Sequence, residues 1–201
     1  MRLSGSGAAA VLLLLSLAAP AGAQEHLERM AFPAHGFSAT IPTGWVAIPD
    51  SVIQARTETI PQPPGVRDIA GFRALVAPDW FAPPYLMVKV QDTGPVGIAD
   101  LERLAVDPTR RVALAQWLDL LERAYGVEYD PALFTWNRSD RIMWVVASGV
   151  SDPFPDVISV AGAVAYPGGV VLAAYRVFPS MDLEKARDLV RDVLLSVREL
   201  D

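Results

Sequence analysis

Apolar and polar positions alternate along much of this chain, and the alternation breaks into helical spacing in three places. Phe37–Ile41 and Trp45–Ile48 read as short strands around a Pro-Thr-Gly corner. Arg67–Ala77 ("RDIAGFRALVA") and Tyr85–Gln91 ("YLMVKVQ") read as longer strands, rich in β-branched and aromatic residues. Four more follow at Ala132–Trp136, Arg141–Gly149, Val157–Tyr166 and Val170–Phe178. The last two are joined by Pro167-Gly168-Gly169, whose glycines suit a tight hairpin.

Helical spacing predicts a first helix from Asp50 or Ser51 to about Thr57, and a second helical block opening at Ile98–Ala105. That block restarts at Asp107-Pro108, with Leu114, Trp117, Leu118, Leu121 and Tyr125 on one face and Gly126 as its C-cap. A closing helix from about Met181 to Val197 is opened by Ser180 or Asp182. Its apolar face is Leu183, Ala186, Val190, Val193, Leu194 and Val197. Pro61–Gly65 ("PQPPG") is a loop, because its prolines lack the donors that a helix or central strand needs. Strands joined mainly as hairpins imply an antiparallel sheet. The expectation is one α+β domain over residues 36–201, with a central antiparallel sheet of about six to eight strands covered by about three helices.

The first residues have a different character. Met1-Arg2, the apolar run Ala8–Ala19 and the small residues Ala21-Gly22-Ala23 form a signal-peptide pattern with cleavage after Ala23. The run is short for a bilayer span, which takes about 20 residues. The expected product is periplasmic or secreted and not membrane-embedded. Residues 24–35 show no clear periodicity and read as a flexible lead.

Charge and composition narrow the chemistry. The net charge of −6 becomes −7 once Arg2 leaves with the signal, and an acidic surface disfavours nucleic acid. There is no cysteine, hence no thiol nucleophile, thiolate metal site or lipoprotein anchor. His26 and His35 both lie in the lead, where they are expected to be exposed or loosely packed, at a spacing that matches no standard helical metal site. No glycine-rich phosphate loop or dinucleotide fingerprint is present, so no cofactor and no metal are expected. Carboxylates are plentiful, which leaves a carboxylate-based hydrolase as the least excluded enzyme class. The close pair Asp152 and Asp156, near Trp136 and Trp144, reads first as turn residues shaped by proline.

"FSATIPTGWVAIP" near the start, together with "ISVAGAVAYPGGVVLAAYRVFP" and a closing helix that ends in "LLSVREL", resembles PsbP-like domains. Many members of that family are exported bacterial proteins of unknown role. The resemblance spans most of residues 36–199. It implies an antiparallel sheet sandwiched by helices, in a family used mostly for binding and assembly rather than catalysis. The N-terminal docking segment of the photosystem members has no match here.

The candidate binding site is the loop "PDWFAPPY", with Trp80, Phe81 and Tyr85. Aromatic rings on a proline-stiffened loop present large area at low entropic cost, which suits a protein partner in the envelope. The alternative is that the rings fold back as a lid on the core. A small-molecule or lipid carrier, with a pocket lined by Trp117, Phe134 and Trp144, is the second functional reading. Trp45 is expected to be largely buried, bracing the corner before the first helix.

Overall fold

In a computed structural model, the described residues are 27–59, 65–74, 79–91, 96–107, 135–151 and 154–200, with the side chains of 146–151 and 154–156 excepted. Among the described residues, ten strands, β1 (Leu27–Phe32), β2 (Phe37–Pro42), β3 (Val46–Ala47), β4 (Val66–Arg73), β5 (Tyr85–Gln91), β6 (Thr135–Asn137), β7 (Ile142–Ser151), β8 (Phe154–Tyr166), β9 (Gly169–Val177) and β10 (Arg198–Glu199), alternate with three α-helices. The helices are α1 (Asp50–Thr59), α2 (Ile98–Val106) and α3 (Leu183–Leu195). Seven strands form the main sheet in the order β3-β4-β5-β9-β8-β7-β6, and β1-β2-β10 form a second, smaller one. Every described pairing is antiparallel, and β1–β2, β4–β5, β6–β7, β7–β8 and β8–β9 join consecutive strands. The fold is α+β. The expected helical restart after Asp107-Pro108 lies outside the described residues.

Period-two alternation sorts the side chains of the main sheet onto two faces. Ile142 and Trp144 of β7, Val160 and Val164 of β8, Val171 and Ala173 of β9, and Leu86, Val88 and Val90 of β5 point to one face. There they meet Ala186, Leu189, Val190, Val193 and Leu194 of α3, and Phe37, Ala39 and Ile41 of β2. The intervening residues Met143, Ala163 and Val170 point to the other face and meet Leu101 and Ala105 of α2. On that same second face, Ile53 of α1 packs with Ile48, Tyr85 and Met87. One face is thus covered by α3 and the small sheet, the other by α1 and α2.

Helix α3 sits close to the sheet because Gly162 offers no side chain where it crosses. A Cβ there would stand 2.6 Å from Leu194 Cδ1 and 3.1 Å from Ile142 Cγ2. The helix starts at Asp182, whose Oδ1 accepts from the backbone N–H groups of Glu184 (3.0 Å) and Lys185 (3.2 Å). These donors have no partner inside the helix. Asp182→Ala is expected to cost about 1 kcal/mol, and Asp182→Asn much less, read as a difference in Tm of about 2–4 °C by calorimetry.

Two parts differ from the sequence expectation. Residues 24–35 were expected to be a flexible lead. Instead Leu27–Phe32 is a strand paired along its length with β2, and Pro33–His35 is a short 3-10 turn. Phe32 is buried against Phe37, with ring centroids 5.0 Å apart, so the lead carries a core residue. Second, Trp45 is half-buried rather than largely buried. Its backbone N–H donates to the Pro42 carbonyl and Gly44 takes φ +78°, so the Pro-Thr-Gly-Trp corner is a turn that needs glycine at its third position. The corner stands at the rim of the sheet, where β3 is only two residues long. There the indole covers Tyr175 (5.7 Å between centroids) with one side and faces water with the other.

Candidate functional site

The loop 79–84 and helix α1 meet on the second face of the main sheet, around Tyr85. The loop begins with Asp79, whose Oδ1 accepts from the backbone N–H of Phe81 (2.8 Å), while its carbonyl accepts from Ala82 N–H (3.2 Å) and from the Arg73 guanidinium. It ends at a cis Pro83–Pro84 bond. These contacts turn the loop back over the protein. Trp80 and Phe81 are half-buried against the cluster of Ile48, Ile53, Tyr85 and Met87. The Phe81 ring meets Tyr85 edge-on at 5.5 Å. Tyr85 itself lies within β5 and is only 1% exposed. The three aromatic residues singled out in the sequence therefore come together, with Tyr85 beneath the two loop rings rather than beside them.

Arginines crowd the same place. Register sets Arg73, Tyr85 and Arg176 side by side on β4, β5 and β9, so all three project to one face. The Arg56 guanidinium, from α1, lies 3.9 Å over the Phe81 ring and 5.4 Å from the Tyr85 centroid, and Arg176 lies 5.8 Å from that centroid. Stacking on ring faces offsets part of the cost of burying these cations. Burial nevertheless holds the Arg56 pKa below its ordinary value. Tyr85 opposes that shift by its charge and by a hydrogen bond, and Arg176 adds to it. Further along β5, Lys89 Nζ sits 2.8 Å from Asp68 Oδ1, with Asp68 only 3% exposed. Burial lowers the Lys89 pKa, and its pairing with Asp68 works against that.

Sequence reasoning missed these arginines because it weighed each charge as part of a solvated surface. A signal was present: Arg176 interrupts the apolar run Val170–Phe178, and Lys89 interrupts the apolar run Leu86–Val90.

Other candidates fall elsewhere. A groove of about 280 Å³ opens between α1 and the β4 edge, lined by Asp50, Ile53, Gln54, Thr57, Arg67, Asp68 and Ile69. It is not enclosed between sheet and helices. Trp144 is buried under α3, whereas Trp136 packs with the α2 cluster on the opposite face, so the two do not line one site. Trp117, Phe134, His26 and Asp152 lie outside the described residues, as does the side chain of Asp156. His35 is half-buried, and burial followed by the nearby Arg67 charge holds its pKa below the ordinary value. Among the described residues, no three His, Asp or Glu side chains gather as metal ligands, and no helix is long and apolar enough to cross a membrane.

Comparison with known proteins gives one kind of likeness. One similar solved structure is that of cyanobacterial PsbP. The solution structure of that protein (CyanoP) from Synechocystis sp. PCC 6803 aligns over 92% of this chain and 98% of its own, with 13% sequence identity and a TM-score of 0.48. No family model matches, and no curated protein matches.

Proposed function

We propose that this chain is a non-catalytic, exported accessory domain that acts through protein–protein contacts in the cell envelope, using the surface built by the loop 79–84 and α1. Trp80 and Phe81 carry the proposal. Two large rings, each partly open to solvent, are held by turn hydrogen bonds and prolines over a packed cluster. Pre-formed aromatic area of this kind loses little entropy on binding and is typical of interface anchors. Arg56, stacked on Phe81, extends the same patch with a residue type that interfaces favour. Export is supported by the signal-like pattern of residues 1–23. A carrier would need a closed apolar cavity of several hundred cubic ångströms, and the open groove beside α1 does not favour that reading.

The test is affinity co-purification from the native envelope fraction with mass spectrometry, comparing the wild-type chain with Trp80→Ala/Phe81→Ala. One or more proteins captured by the wild type are expected to fall at least tenfold in the variant. The loss of stability should stay below the ~3–5 kcal/mol of a fully buried aromatic, because both rings are half-buried. Unchanged capture with a lowered Tm would mean that the rings serve only the fold. A small molecule co-eluting in place of any protein would favour the carrier.

A further inference from the structure

Among the described residues, the guanidinium groups of Arg56, Arg73 and Arg176 have no carboxylate partner. Arg56 and Arg176 lie near the Tyr85 ring from two different elements, and Arg73 stands beside Tyr85 in register on β4. Asp68 acts on Arg56 electrostatically and pairs with Lys89. Arg73 is 3% exposed, and among the described residues its buried Nε–H has no hydrogen-bond acceptor, although its guanidinium also donates to the Asp79 carbonyl. Arg56 and Arg176 are only half-buried, so the cluster can be reached from solvent.

This arrangement is costly for a fold that gains nothing else from it. Like charges repel, desolvation penalises each one, and a buried unmet donor costs about 1–3 kcal/mol. The cost is also out of keeping with a chain of net charge −6, which has carboxylates to spare. Departures of this type, where several groups violate burial rules together, concentrate at binding sites. Guanidinium forks are the side chains best matched to planar or tetrahedral oxyanions.

We propose that Arg56, Arg73 and Arg176, with Tyr85 beneath them, form an oxyanion-binding site that takes a carboxylate or phosphate group. The oxyanion accepts from the Arg56 and Arg176 forks at the open side, and the Arg73 Nε–H is the donor waiting on the inner side. Stacking on Tyr85 and Phe81 holds the forks in place before the anion arrives, which limits the entropy lost on binding. The site shares Arg56 and Phe81 with the proposed protein-binding patch, but it is measured on the purified chain alone, so either property can fail without the other.

The test is a thermal shift and calorimetric titration of the chain beginning at Gln24. Sodium phosphate and sodium succinate are compared with sodium chloride at matched ionic strength. At saturation, one oxyanion is expected to raise the wild-type Tm by about 5 °C above the chloride control. Phosphate rather than succinate as the stronger ligand would identify a phosphate-bearing occupant, and the reverse a carboxylate. Arg56→Gln/Arg176→Gln should weaken that affinity at least tenfold and leave the Tm in chloride unchanged or higher, since two repelling charges are gone. Lys185→Gln, an exposed site on α3, removes a charge without touching the cluster and should change nothing. Arg176→Gln alone serves if the double variant does not fold. Equal responses to phosphate, succinate and chloride, or an equal oxyanion shift in wild type and arginine variants, would overturn the site. The second result would mark a general salting effect.

Discussion

A chain that begins at Gly36 instead of Gln24 is expected to melt about 6–12 °C lower, a loss of about 3 kcal/mol or more. The truncation removes β1, and with it six paired positions against β2, from Leu27 opposite Pro42 to Phe32 opposite Phe37. It removes the Phe32 ring from the core, where full burial of a phenylalanine contributes about 1.5–3 kcal/mol. It also removes Arg29, whose guanidinium donates to Ser38 Oγ (2.9 Å) and to the Ser196 carbonyl (3.3 Å), tying the small sheet to the end of α3. Differential scanning calorimetry of the two chains decides the matter. An unchanged Tm would return residues 24–35 to the status of a dispensable lead. A chain that keeps Phe32 but carries Arg29→Ala should fall between the two.

Trp144→Ala is expected to be at least as severe, at about 3–5 kcal/mol. Trp144 is the largest fully buried side chain described, 1% exposed in the layer between the sheet and α3. Gly162 on the neighbouring strand leaves space for its ring, and Arg187 of α3 lies 4.7 Å over its face. Leu194 and Ile142 stand 2.6 and 3.1 Å from where a Gly162 Cβ would be, so the space beside the ring is already closely bounded. Trp144→Phe should cost much less than the change in volume suggests. Among the described residues the buried indole N–H has no acceptor, so phenylalanine removes an unmet donor along with the extra ring. Urea denaturation gives both values. A Trp144→Phe variant as unstable as Trp144→Ala would show that the indole N–H is satisfied after all.

The parts of this fold that were legible in the sequence are those in which neighbours along the chain are also neighbours in space. The hairpin from Val157 to Phe178 announces itself through alternation and two glycines, and β8 pairs with β9 through the Tyr166–Gly169 turn. Asp182 was one of two expected helix openers, and it holds the N-cap. Leu27–Phe32 was not legible, because its alternation is weak and its partner closes the small sheet together with β10 from the far end of the chain. The same reason hid half of the candidate site. Trp80, Phe81 and Tyr85 stand together in the sequence and drew attention as a group. Arg56, Arg73 and Arg176 become a group only through strand register and helix docking, which no local pattern displays.

The order β1-β2-β10 also has a mechanical consequence. Both outer strands run antiparallel to β2. Leu27 enters beside Pro42, while Glu199 leaves beside Phe37, at the opposite end. Traction on Leu27 and Glu199 therefore pulls along the strands in opposing directions. The β1–β2 ladder is loaded in shear, so its hydrogen bonds must yield together rather than unzip one at a time. A domain tethered at both ends would resist tension in a way that its modest three-stranded sheet does not suggest.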